Sequence, residues 1–194
     1  MIVYHYSPTL KEGENLEPGH EKYGDLCEPF MEGLAYSRDC FVGMLLSGKY
    51  IFAVMNRSKL RYWANYAKWS TEGLFEYVRR KEYPSAVSRL HCNYFCVDVA
   101  ECVRMFWEDW GEEEPEDQEK VHLFEVELPA DSLEKRDCSL FDAAYDAIEK
   151  QDIEEALALA RRYFAGEHGE APAWEYLSAA QARAVKDISH LLRE

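Results

Sequence analysis

The chain has 194 residues, 47% of them hydrophobic and 14% aromatic, which suffices for a packed core and excludes a disordered chain. A formal net charge of −15 argues against non-specific nucleic-acid binding over the whole surface. No apolar run approaches the about 20 residues that span a bilayer, charged residues begin at Lys11 with no export signal before them, and the six cysteines sit mostly inside apolar patterns. These features predict one cytoplasmic domain over residues 1–194, not membrane-bound, with reduced thiols.

Met1 to Tyr6 (MIVYHY) is a short apolar strand carrying His5, ended by Ser7-Pro8, and Leu10 to Gly19 is a loop rich in Gly, Pro and Glu. Apolar patches follow at Phe30–Tyr36 and Phe41–Leu46, and Lys49–Met55 leans to helix. GMLLSGKY at Gly43–Tyr50 approaches a phosphate-binding loop, but Met44, Leu45 and Leu46 would waste a cradle of backbone amides. Tyr50 also stands where Ser or Thr must reach Mg²⁺, so the reading is core helix. Tyr62, Trp63, Tyr66 and Trp69 form an aromatic stripe that suits helix packing. Thr71–Arg80 has a capping residue and then Leu74, Phe75 and Val78 on one face, which predicts a short helix. Arg79, Arg80, Lys81 and Arg89 are the candidates for a local basic groove.

Tyr83-Pro84-Ser85 breaks the helix, because the residue before a proline is pushed out of the helical region. Leu90–Val97 predicts a strand with Leu90, Cys92, Tyr94 and Cys96 on one face. Asp98 is placed to cap a helix whose buried stripe is Val99, Cys102, Val103, Phe106 and Trp110. Glu112–Glu119 is an acidic loop, and Val121–Leu128 (VHLFEVEL) a strand stopped by Pro129. Leu140–Lys150 and Ile153–Phe164 read as helices separated near Gln151-Asp152. Trp174–Leu177 reads as a short strand, and Ala179–Leu192 as a terminal helix. Short strands among scattered helices give an α+β class.

Three short motifs now line up. Tyr94-Phe95-Cys96-Val97-Asp98 before a helix resembles the second motif of ADP-ribosyltransferases of the His-Tyr-Glu type. His5 in the first strand is similar to their first triad member, and Trp174-Glu175-Tyr176-Leu177 to the segment of the catalytic glutamate. The order His5, Tyr94, Glu175 is the family's order.

The resemblance implies a split mixed β-sheet core with surrounding helices, and NAD as substrate. It implies transfer of ADP-ribose to a macromolecule, with RNA or DNA ahead of protein on the likeness to bacterial toxins and phage-defence effectors. An antitoxin or regulatory protein is an implied partner. Glu175 would stabilise the ribose cation, Tyr94 would stack on nicotinamide and His5 would hold the cofactor. Ser88 and Arg89 are the candidates for the pyrophosphate, Arg89 through its fork of donors. The same residues also allow an NAD glycohydrolase, or a non-catalytic scaffold that binds a nucleotide or a partner. Glu125 and Glu127 are the rivals to Glu175, with a plain reading as carboxylates presented to solvent by an edge strand. His91, Cys92, Cys96 and His122 lack the paired spacing of a zinc site, and no dinucleotide fingerprint or Gly-x-Ser-x-Gly elbow occurs, so no metal is expected.

Overall fold

The computed structural model describes residues 1–19, 21–46 and 66–193. The segments expected as helix at 49–55 and as an aromatic stripe from Tyr62 lie wholly or partly outside them, as does the second half of the near phosphate-loop motif. The class is α+β, in two compact units: Met1–Gly19, His91–Lys135 and Glu175–Glu194 form one, and His20–Leu90 with Arg136–Trp174 the other. No described helix is long and apolar enough to cross a membrane.

The first unit is built on strands. Strand β1 (Ile2–Ser7) pairs antiparallel with β4 (His122–Glu127), and β4 pairs with β7 (Ala182–Asp187). The two-residue β2 (Asn15–Leu16) completes the order β1-β4-β7-β2. A second sheet has the order β3-β6-β5, with β3 at Asn93–Phe95, β6 at Trp174–Ser178 and β5 at Glu134–Asp137.

Two apolar clusters hold this unit. One contains Val3, Phe95, Phe124, Val126, Ala182 and Ala184. The other contains Cys96, Cys102, Phe106, Val121, Leu123 and Ile188. Helix α4 (Val99–Trp110) supplies Cys102 and Phe106, and its start is fixed as the sequence foretells: Asp98 Oδ1 accepts the Glu101 amide at 3.0 Å. Gly19 ends the opening loop at φ +91°, where only glycine is unstrained; a Cβ there would meet His91 Cα at 3.0 Å.

The second unit is helical: α1 (Glu21–Tyr36), α2 (Arg38–Leu46), α3 (Tyr66–Glu82), α6 (Cys138–Glu149) and α7 (Ile153–Phe164). Among the described residues there is also α5, a single turn at Pro115–Gln118 in the first unit. Phe75 of α3 lies at the centre, with ring centroids 5.0 Å from Phe141, 5.3 Å from Tyr163 and 5.9 Å from Phe164. Gly73 lets α3 approach α1, since a Cβ there would lie 3.0 Å from both the Cys27 carbonyl oxygen and Phe30 Cβ. Asp137 and Asp152 cap α6 and α7, and Gln151 takes φ 63° in the link between them.

Four expectations change. The terminal helix is instead strand β7 followed by a 3₁₀ turn at Ser189–Leu192. Ala182 and Ala184 are buried while Arg183 and Val185 are exposed, a period of two that outweighs alanine's helix propensity. Thr71 caps nothing; it lies inside α3, where its hydroxyl donates to the Ala67 carbonyl at 2.8 Å. The strand expected over Leu90–Val97 shrinks to Asn93–Phe95, because Arg89 and Leu90 form a turn and His91 a bend. Finally, β4 is no edge strand: it lies between β1 and β7.

Candidate functional site

The antiparallel register brings the sequence candidates onto neighbouring strands. At its Tyr4 position β1 bridges to Cys96, just beyond β3, through Tyr4 N to Cys96 O at 2.8 Å and Cys96 N to Tyr4 O at 2.9 Å. This bridge carries His5 alongside β3, and His5 Nδ1 lies 2.9 Å from the Tyr94 carbonyl oxygen. A carbonyl only accepts, so Nδ1 carries the proton in this bond. The His5 ring also rests against Phe95, with centroids 5.7 Å apart.

Strand β3 in turn pairs with β6, Tyr94 opposite Leu177 and Phe95 opposite Tyr176. Side chains directly opposite share a sheet face, and so do residues two apart along a strand. Tyr94, Leu177 and Glu175 therefore emerge on one face, Glu175 being the diagonal neighbour of Tyr94 at a spacing of about 7–8 Å. Phe95, on the opposite face, packs into the core with Tyr176 against it. Tyr94 keeps 38% of its surface in solvent, whereas Glu175 keeps 9%. An open aromatic beside a shielded carboxylate is an arrangement that can take a flat, cationic group.

The rival carboxylates lie elsewhere on the sheet. In the β1–β4 register Glu125 is opposite Tyr4 and Glu127 opposite Ile2, whereas His5 is opposite Phe124. Both glutamates thus emerge on the sheet face away from His5. Glu125 also forms a cross-strand ion pair with Lys186 at 3.7 Å.

Ser88 and Arg89 belong to the helical unit, and their polar atoms meet glutamates there. Ser88 Oγ donates to Glu76 at 2.8 Å. The Arg89 side chain is 8% exposed; its Nε donates to Glu72 at 3.1 Å, its Nη1 to Tyr163 Oη at 3.1 Å, and its guanidinium lies 4.1 Å from the Phe141 ring centroid. The suggested basic groove is likewise internally matched. Arg79 and Arg80 both bond Glu76, and Lys81 lies over the Tyr77 ring. Burial pushes the Glu76 carboxyl up, but the bonds from Arg79, Arg80 and Ser88 outweigh it and hold the group below its ordinary value.

Sequence reasoning missed two polar clusters of the first unit. Tyr6 donates to Asp109 of α4, and burial together with that carboxylate drives its phenol well above the usual range. His122 Nδ1 lies 3.1 Å from Asp187 Oδ2 and 3.3 Å from Ser189 Oγ. Serine and aspartate meet the same ring nitrogen, so this trio is no nucleophile relay, which needs them on opposite nitrogens. Its work is structural: Ser189 Oγ accepts the Leu123 amide at 3.0 Å. Strand pairing alone could have suggested it, had Ala182–Asp187 been read as a strand.

A cleft of about 490 Å³ opens at another place on the four-stranded sheet, with Met1, Asn15, Glu127 and Arg183 in its walls and without His5, Tyr94 or Glu175. Among the described residues no group of three His, Cys, Asp or Glu side chains gathers as a metal site.

A family model described as "Protein of unknown function (DUF2441)" matches residues 44–190, a span that includes Tyr94 and Glu175 and begins after His5. No curated protein matches the chain. Since the family model covers well over half of its length, the chain belongs to the DUF2441 family of proteins of unknown function.

Proposed function

We propose that this protein is an ADP-ribosyltransferase that uses NAD, with the two antiparallel sheets forming the split core of that fold. One observation carries the reading: His5 holds the Tyr94 main chain while Glu175 shares the face of Tyr94 on the adjacent strand. The reading is supported by these two links between distant parts of the chain, and by the order His5, Tyr94, Glu175 on which the resemblance rests.

The chemistry suits those side chains. Cleavage of the bond between nicotinamide and ribose leaves the electron pair on the pyridine nitrogen and positive charge on the sugar, an oxocarbenium-like transition state. Glu175, shielded from water, supplies the opposing charge and holds the ribose hydroxyls. Tyr94 offers its exposed ring face to the nicotinamide. His5 fixes the β3 main chain and binds the cofactor beside it. The acceptor then forms its bond to the anomeric carbon and gives up a proton, which Glu175 is placed to take. The acceptor is a macromolecule, RNA or DNA ahead of protein, and the role is that of a toxin or phage-defence effector.

The test is nicotinamide release from NAD by the purified protein, with and without cell lysate. Release should fall at least about 100-fold in Glu175→Gln, and persist in Glu125→Gln. Label from adenylate-labelled NAD that survives protease and yields to nuclease identifies a nucleic-acid acceptor. Free ADP-ribose as the sole product makes water the acceptor. No release with any lysate, from protein whose circular dichroism matches the α+β fold, rejects the reading.

A further inference from the structure

The cleft on the four-stranded sheet lies wholly within the first unit, and the charged side chains among its lining residues are Glu127 and Arg183. Arg183 of β7 is opposite Glu127 of β4 on one side and opposite Asn15 of β2 on the other. Residues directly opposite share a sheet face, so these side chains form one row across adjacent strands. All three residues are exposed and all three line the cleft.

Opposite charges placed in this way ordinarily pair across the strands. Glu125 and Lys186, further along the same ladder, do so at 3.7 Å. Glu127 and Arg183 do not: their side chains, and that of Asn15, bond or pair with none of the described residues. A bulge that passes over Val185 separates the two pairs, and a bulge twists the ladder and re-aims the side chains beside it. Each charge therefore keeps its hydrogen-bonding atoms for a molecule in the cleft.

The rest of the wall is apolar or already bonded. Met1 and Leu128 exchange main-chain bonds at 2.7 and 3.1 Å, and Gln181 Nε2 donates to Glu17. Pro129 and Ala130 stand exposed beside the polar row, on the chain leaving β4.

We propose that this cleft binds a free α-amino acid with an apolar side chain: Arg183 and Asn15 hold its carboxylate, Glu127 holds its ammonium, and its side chain lies along Pro129 and Ala130.

The chemistry of the row selects that class. A guanidinium offers a carboxylate two parallel donors, and the Asn15 amide adds another from the neighbouring strand. Paired strands are about 4.8 Å apart, so a single small molecule can reach Glu127 and Arg183 together, as an ammonium and a carboxylate on one carbon do. A phosphate-rich ligand fits poorly, because the Glu127 carboxylate repels it, and a plain cation meets the same objection from Arg183.

This binding does not rest on the NAD reading, and its test needs no enzymatic activity. Isotope-labelled native protein is titrated with L-leucine, L-methionine and L-phenylalanine while its amide NMR shifts are followed. The expected result is saturable change at Asn15, Glu127, Ala130 and Arg183 with at least one of the three. The N-acetyl derivative of that amino acid lacks the ammonium, and its carboxamide lacks the carboxylate. Each should bind at least about tenfold more weakly. Glu127→Gln should erase the difference between the free and the N-acetyl amino acid, and Arg183→Gln that between the acid and its carboxamide. Lys186→Gln, outside the cleft, should leave binding as it is. No saturable change with any of the three, change confined to other amides, or equal binding of the N-acetyl derivative by native protein overturns the proposal. So does saturation of the same amides by inorganic phosphate alone, which would make the cleft an anion site.

Discussion

His5 Nδ1 lies 2.9 Å from the carbonyl oxygen of Tyr94, 89 residues further along the chain. The contact is between a side chain and the main chain, so it constrains where Tyr94 can sit and leaves the ring of Tyr94 to other work. An asparagine at position 5 can offer an N–H from nearly the same place; alanine cannot. His5→Ala should lower nicotinamide release about tenfold or more, and His5→Asn should keep a clear part of it, as single-turnover rates would record. Equal loss in both variants would mean that the imidazole does something an amide cannot.

Tyr94 is expected to act through its ring and not its hydroxyl. Tyr94→Phe should bind NAD as the native protein does. Tyr94→Ala should weaken binding by about 0.5–1.5 kcal/mol, or about 2–13-fold in Kd, measured by titration calorimetry. A large loss in Tyr94→Phe would assign a role to the phenol.

The ion pair of Arg89 and Glu72 makes a different prediction, since each side chain is 8% exposed. Removing one partner strands a buried charge, so Arg89→Met should cost about 3–5 kcal/mol in urea unfolding. Arg89→Met with Glu72→Gln should recover part of that loss. A stable Arg89→Met protein whose only defect is a raised KM for NAD would instead favour the pyrophosphate role.

Asp137 accepts the amides of Ser139, Gly169 and Ala173 at 3.0, 2.8 and 2.9 Å. Burial raises its carboxyl, but these bonds win and hold the group below its ordinary value. A depressed folded-state pKa gives stability that is fully present above the unfolded value near 4 and is lost as pH falls through the folded value. Asp137→Asn should therefore cost about 2–3 kcal/mol at pH 7. That deficit should shrink below about pH 4, as thermal unfolding across pH would show.

The Asp98 cap and the helices around Leu140–Phe164 were legible because their signals are local: a short side chain reaching a nearby amide, and an apolar stripe repeating within one segment. Strand β7 was not, since Ala182–Asp187 carries the composition of a helix and becomes a strand only through β4 and β2 on either side. Of the candidate site, motif order supplies His5, Tyr94 and Glu175 as an expectation, and the pairing of β3 with β6 sets Tyr94 and Glu175 on one face. The involvement of Arg89 with Glu72 was hidden, because the two are 17 residues apart and meet only when the Tyr83–Ala86 turn folds back.

The strand order also sets a timetable for biosynthesis. Strand β1 cannot pair until β4 has been made, over a hundred residues later, and β4 gains its other neighbour only when β7 appears. Contacts this distant along the chain slow the search for the native state. The segments of the helical unit, by contrast, have all been translated before Glu175 is added. In a nascent polypeptide, strand β3 with Tyr94 therefore waits for its partner β6 until the helical segments have all been made.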